Sequence, residues 1–247
     1  MYCHTGLTLP ITGGVSLQGA SRKASRLRNT HASNASVTWH GEWVADTPAG
    51  TQRQNSWALG GGIFDLWFDT PGTIYGSDTN AWVEPAYNAG QIGIDIVYLA
   101  RYTMERVIIA GHDRGIDHKI SWDCSYRDVS IWDCNEGFVI PDEYQGSPLP
   151  SGGAPMSIYS MDIRQCQIGM RLDFGHVMNI YAGTIVGCQY GVTFKNNKSV
   201  AFHGMYFEHQ YVDDVVLGTA TSVLTGIIFN ACRFSMHGNK ARFISHV

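Results

Sequence analysis

The chain has 247 residues, of which 15% are charged and 28 are glycine, and its formal net charge is -4. That charge argues against a nucleic-acid or anionic-membrane partner. No apolar run reaches the ~18 residues of a membrane span, and Met1–Leu7 lacks the form of a signal peptide.

Low charge with abundant glycine suits strands joined by tight turns, and this length is expected to form one elongated β domain, residues 1–247. Met1–Ser33 reads as two short strands around a turn. Ala35–Ala45 reads as a strand pair carrying Trp39 and Trp43. Gln54–Trp67 and Thr73–Val83 are aromatic and glycine-rich with poor register, and residues 69–88 are expected to form a long excursion. A repeat becomes firm at Ile92 and runs to Met236.

The repeat is carried by VIIAGHDRGIDHKI ending at Ile120, VSIWDCNEGFVI ending at Ile140, MDIRQCQIGMRL ending at Leu172 and YAGTIVGCQYGVTF ending at Phe194. Its glycines, Gly93, Gly115, Gly137, Gly169 and Gly191, are spaced by 22, 22, 32 and 22 residues. A fixed period of this size marks stacked repeats. The longer step places a second outward loop at residues 141–155, rich in Pro, Gly and Ser, where function or a groove wall is expected.

Alignment on the cysteines gives a register column of His112, Cys134, Cys166, Cys188, His209 and Cys232. Three positions earlier stand Ile109, Ile131, Ile163, Ile185, Tyr206 and Phe229. Period-2 alternation on both sides of each glycine predicts strand, turn, strand, with the glycine at positive φ. Stacked rung on rung, each buried Ile or Phe contributes roughly 1.5–3 kcal/mol. The predicted fold is an all-β, right-handed, single-stranded parallel β-helix. Four of the six cysteines share the register column, where a thiol acts as a small hydrophobe. No C-x-x-C pair or calcium-loop spacing is present, so neither metal nor cofactor is expected. Reduced, buried thiols imply folding in a reducing cytoplasm. His112, His118 and His209 are expected as core histidines. In the Ser199–Leu217 rung the corner glycine is replaced by Val212.

The strings L-x-L-P…GVSLQGAS, beginning at Leu7, and GMYFEHQ, Gly204–Gln210, resemble rungs of the pectate-lyase-like β-helix family that includes bacteriophage tailspikes. The resemblance spans roughly residues 4–240 and is specific for fold rather than chemistry. It implies a pectin-lyase-like helix, a homotrimer or larger virion assembly, and action outside the cell on a bacterial surface polysaccharide after folding in the host cytoplasm. The family's N-terminal cap and C-terminal trimerisation module are not evident, so a short form or piece is expected, its open end covered by more chain or a partner. A depolymerase, with glycoside hydrolysis favoured over lyase chemistry, is the leading function. The alternatives are a non-catalytic structural or receptor-binding β-helix and a secreted pectate-lyase-like enzyme.

The outward columns supply the candidate residues. Asp133, Asp162, Arg164 and Glu208 are predicted to share one solvent face with Trp132. Glycoside hydrolysis needs two carboxyls about 5–5.5 Å apart for retention or roughly 6.5–9.5 Å for inversion. Asp133 and Glu208, three rungs apart, are separated by about 14 Å, whereas Asp133 and Asp162 are about 10 Å apart. Lyase chemistry instead requires a base and a group that neutralises a uronate, for which Arg164 with Tyr181, or Arg171 with Asp173, are the candidates. Trp132, Tyr181 and Arg171 complete the expected substrate contacts. Exposed acids also serve simply to keep a β surface soluble.

Overall fold

The computed structural model describes residues 2–10, 14–41, 58–71, 83–144, 147–148, 155–218, 222–235 and 244–245. No helix occurs among them. One 19-stranded sheet winds around an axis, every pairing within it parallel, and forms a right-handed parallel β-helix with three sides.

On the first side, here the glycine face, Val37–His40 pairs with Asn88–Val97. His112–Lys119, Glu136–Ile140, Ile168–Leu172, Tyr190–Phe194 and Asp213–Leu217 follow in register. The tyrosine face stacks Ser16–Gln18, Gly62–Phe64, Thr103–Glu105, Ser125–Arg127, Ser157–Tyr159, Asn179–Tyr181, Ala201–His203 and Ile228–Asn230. The tryptophan face stacks Tyr2–His4, Leu27–Asn29, Trp67–Asp69, Val107–Ala110, Val129–Trp132, Met161–Arg164, Gly183–Val186, Met205–Glu208 and Arg233–Ser235.

Two left-handed residues per rung set the corners of the tryptophan face. Arg106, Asp128, Ser160, Ala182 and Gly204 open it, at φ between 44° and 63°. Gly111, Asp133, Gln165, Gly187 and His209 close it five residues later. An L-residue held in that region costs roughly 1–2 kcal/mol, so the corners persist only because the four-residue strand between them is locked by its neighbours above and below.

The glycines of the repeat are required for a different reason from the one expected. Gly93, Gly115, Gly137, Gly169 and Gly191 do not have positive φ. They sit where strands approach too closely for a side chain. A Cβ on Gly115 lies 2.5 Å from Cγ2 of Ile131 and 2.6 Å from the carbonyl oxygen of Gly137. The column ends at Asp214, whose carbonyl lies beneath Gly191, rather than at Val212.

The interior is a set of ladders. Ile109, Ile131, Ile163 and Ile185 continue as Phe207 and Phe234, paired by register. Phe207 and Phe234 stack at 4.7 Å, and Phe202 and Phe229 at 4.9 Å on the tyrosine side. Cys134, Cys166 and Cys188 are fully buried in one column, and all six cysteines are free thiols. Burial pushes the Cys166 thiol well above its ordinary value.

Past Cys188 the expected column is corrected by one residue. Gln210, not His209, follows Cys188: its Oε1 accepts the Cys188 N–H at 2.9 Å and its Nε2 donates to the Ile185 carbonyl at 2.5 Å. The amide satisfies backbone groups that the smaller thiol leaves to the corner, while His209 is exposed at a left-handed position. Cys232 lies at the opposite corner, with Sγ near the Phe202 carbonyl. His112 and His118 are fully buried, as expected. His118 Nδ1 lies 2.9 Å from the Tyr102 hydroxyl and 2.7 Å from that of Tyr126.

The N-terminal part is more segmented than expected. Tyr2–His4, Leu7–Thr8, Ser16–Gln18 and Arg26–Asn29 are four short strands, and Val37–His40 is a single strand. Residues 42–57 and 72–82, and most of 145–154, lie outside the described residues, and with them the middle of both expected excursions. Glu143–Tyr144 and Ser147–Pro148 pair antiparallel at the base of the second.

Candidate functional site

On the tryptophan face alternate residues point outward in two columns. Trp132, Arg164, Val186 and Glu208 are in register in one. Ser130, Asp162, Thr184, Tyr206 and Arg233 form the other. Asp162 is gripped on three sides: Arg164 Nε donates to it at 2.9 Å, the Thr184 hydroxyl bonds to it, and Trp132 Nε1 approaches at 3.4 Å. Trp132 meets Trp67 edge-on at 6.3 Å, and Arg26 covers the Trp67 ring at 4.4 Å. The structure therefore gathers Trp132, Asp162 and Arg164.

It does not gather the other two acids. Asp133 is only 4% exposed, because its left-handed corner turns it off the solvent face. This corrects the expectation that it stands beside Asp162. Glu208 shares the column of Trp132 and Arg164, yet lies two rungs from Arg164, about 10 Å along the axis. Adding the two-residue offset to Asp162 puts those two backbones on the order of 12 Å apart.

Tyr181 lies on the tyrosine face in a stacked ladder. Its ring is parallel to those of Tyr159 at 5.2 Å and His203 at 4.9 Å, and Arg127 covers the far side of Tyr159. Both faces of the Tyr181 ring are thus occupied, and solvent meets only its edge and hydroxyl. Sugar stacking needs a free ring face, which this position lacks.

Arg171 occupies the richest charged site, on the glycine face. Its Nη1 lies 2.5 Å from Glu136 Oε1, and its Nε lies 3.2 Å from Asp173 Oδ2. Arg114 meets Glu136 from the other side at 3.2 Å and Asp117 at 2.8 Å. Lys119 links Asp117 at 2.9 Å to Asp95 at 2.5 Å, and His40 Nε2 closes the series on Asp95 at 2.9 Å. The strand HDRGIDHK shows why: Arg114, Asp117 and Lys119 all project to one side, and each reaches a charge on its own rung or the next.

The carboxyls of this series differ in character. Burial pushes Glu136 above its ordinary value against the pull of Arg171 and Arg114. Burial also raises Asp173, again opposed by Arg171. For Asp95 burial is outweighed by its bond to His40 and by the Lys119 ammonium, which hold it below the usual range. Tyr87, whose own value is raised by burial and by Glu84, Asp113 and Glu136, stands nearby. Lys195 pairs with Asp142 at 2.6 Å, where the 141–155 excursion leaves the same face. Of these groups only Arg171 and Asp173 were anticipated. Glu136 was hidden in a strand of otherwise apolar residues, though the alternating charges of Arg114, Asp117 and Lys119 were a readable signal.

A three-sided, all-parallel coil with buried ladders is a right-handed parallel β-helix. The enzymatically active domain of tailspike protein 2 from bacteriophage CBA120 shares this fold, with a TM-score of 0.50 at 12% identity over 98% of this chain and 43% of that one. The chain thus spans less than half the length of that domain. The A-module of the Azotobacter vinelandii mannuronan C-5 epimerase AlgE6 aligns with a TM-score of 0.40 at 13% identity, over 96% of this chain and 84% of that one. ORF18 of Geobacillus virus E2 aligns with 0.38 at 12% identity, over 95% and 53%. No protein-family model matches the sequence, and no curated protein does.

Proposed function

We propose that the protein binds a bacterial surface polysaccharide along its β-helix and hydrolyses it on the glycine face, with Glu136 as proton donor and Asp173 as the partner carboxylate. The observation that carries the reading is that both acids lie against the one guanidinium of Arg171, Glu136 through a hydrogen bond to Nη1 and Asp173 through an ion pair at Nε. Those two contacts plus the width of a guanidinium hold the carboxyl oxygens inside the roughly 9.5 Å outer limit for paired-carboxyl hydrolysis. Burial raises Glu136 above its ordinary value, the direction that a general acid needs. Asp173, once ionised, either attacks the sugar or activates a water, and Arg171 fixes the direction of both groups.

Around the corner, Trp132, Arg164, Asp162 and Glu208 offer a second strip along the axis for the rest of the glycan. A phage-tail location, with the protein assembled as an oligomer and acting outside the cell, accords with this reading. Tyr87 is raised in pKa, which disfavours it as the base of a lyase.

The test is incubation with a panel of purified capsular and O-antigen polysaccharides, following new reducing ends and the ultraviolet absorbance of unsaturated uronates. Reducing ends without absorbance are expected. A rise in absorbance identifies lyase chemistry, and binding with neither signal identifies a receptor-binding β-helix.

A further inference from the structure

A cleft of about 530 Å³ opens at the N-terminal end of the glycine face. It lies where the corner after Tyr2–His4 and the corner after Arg26–Asn29 pass beside Val37–His40 and Asn88–Val97. Thr5, Thr8, Asn34 and Thr38 line it with hydroxyl and amide groups, and Leu7 and Ile92 supply apolar surface. Asn34 is held in place by donating its side-chain N–H to the Thr5 carbonyl at 3.1 Å. His40 and Asp95, 2.9 Å apart, also line the cleft. Lys119, only 8% exposed in its side chain, anchors Asp95 from behind.

We infer that this cleft is a distal subsite that seats one pyranose residue of the same glycan. The inference rests on the hydrolytic reading above for its role, though not for the binding itself. Cavities of 300–1,000 Å³ with a few fixed polar groups and apolar walls are the usual size and make-up of small-molecule sites. A pyranose carries an apolar ring face and a rim of hydroxyls, which matches this lining. Among the described residues the rim has both donors and acceptors and no unpaired cation, so a neutral sugar fits it better than a uronate does.

Its position gives it a consequence. Asp95, Asp117, Val139 and Arg171 are successive members of one column. Ile92 lies two steps of about 4.8 Å from Glu136, and Asp95 three from Arg171, which sets the cleft about 10–14 Å from the Glu136–Asp173 pair. A glycan long enough to span that gap gains contacts in the cleft, and a shorter one does not. The cleft therefore fixes which chain length is held best without touching the bond that is cut.

The experiment has two arms. In the first, saturation-transfer NMR is run with the methyl glycosides of glucose, galactose, mannose and N-acetylglucosamine and with methyl glucuronoside. The proteins are the wild type, Thr38→Tyr to fill the cleft, and Thr38→Val to remove one hydroxyl while keeping the β-branched shape. At least one neutral glycoside is expected to show transfer that Thr38→Tyr abolishes and Thr38→Val weakens by about fivefold, the value of one hydrogen bond. In the second arm Thr38→Tyr raises KM for long oligosaccharides by about tenfold or more, leaving kcat and the KM of short ones unchanged. Absence of transfer from every neutral glycoside to the wild type overturns the inference, as does transfer that survives in Thr38→Tyr. Transfer lost in Thr38→Tyr, with no polysaccharide cut by the wild type, keeps the subsite and removes the hydrolytic reading.

Discussion

Glu136 and Asp173 stand on successive rungs and meet at opposite edges of the Arg171 side chain. Neither is near the other in sequence, and their backbones are several positions apart along the strands. The long Arg171 side chain, lying lengthwise on the face, is what turns two separate acids into a pair. Removing the guanidinium while keeping the length, as in Arg171→Met, is expected to leave the coil intact and to reduce turnover by at least tenfold, since both carboxyls lose their orientation and their main opposing charge. A kinetic comparison with a circular-dichroism melt checks this, and unchanged turnover contradicts it.

Acid sensitivity follows from the buried histidines. Burial lowers His112 and His118 from 6.5 to about 3. Between those values the unfolded chain carries a proton on each and the folded chain does not, so stability falls as pH drops below about 6.5. Each group removes roughly 1.4 kcal/mol per pH unit in that window. Urea unfolding at pH 7.5, 6 and 5 reads the slope. His118→Asn, which keeps a polar partner for Tyr102 and Tyr126, is expected to flatten it by about half, and an unaltered slope contradicts the assignment.

The glycine column predicts a contrast between two substitutions. Gly115→Ala drives a methyl into the Gly137 carbonyl and Ile131, and overpacking of this kind costs typically 1–3 kcal/mol. A backbone carbonyl cannot turn aside, so the upper end of that range is expected. Gly204 has open space around it and the same left-handed corner that Ala182 and Ser160 occupy on other rungs. Gly204→Asn should therefore stay within about 1 kcal/mol of the parent. Equal costs in urea melts contradict the steric account.

Thiol reactivity separates the cysteines. Cys3 is exposed and Cys232 half-buried, whereas Cys124, Cys134, Cys166 and Cys188 are buried. A thiol reagent is expected to modify Cys3 quickly, Cys232 slowly and the other four only on unfolding, because reaction needs both access and thiolate. Mass spectrometry after timed labelling reads the order, and early modification of Cys166 contradicts the buried column.

Much of the coil was legible because identical side chains recur at identical places: Ile109, Ile131, Ile163 and Ile185 announce their own stacking. The alignment slipped where chemistry changed under a constant role. Gln210 replaces a thiol in function but not in appearance, and adjacent His209 looked like the better match for His112. The glycines were seen, yet their cause was not, since a collision between rungs is invisible until the rungs are stacked. Trp132, Asp162 and Arg164 were correctly grouped because alternation alone decides which side a strand residue faces. Asp133 failed because one left-handed residue breaks alternation. The Glu136–Asp173 relationship depends on the reach of Arg171 across rungs, and no spacing rule encodes that.

The most direct test of the catalytic account is the initial rate of reducing-end release from a cleaved polysaccharide by wild type, Glu136→Gln and Asp173→Asn. Each variant is expected to retain its wild-type melt and to lose at least about a hundredfold in kcat, the loss that follows removal of a positioned acid or base. Wild-type rates in both variants, with the fold intact, place the chemistry elsewhere on the coil.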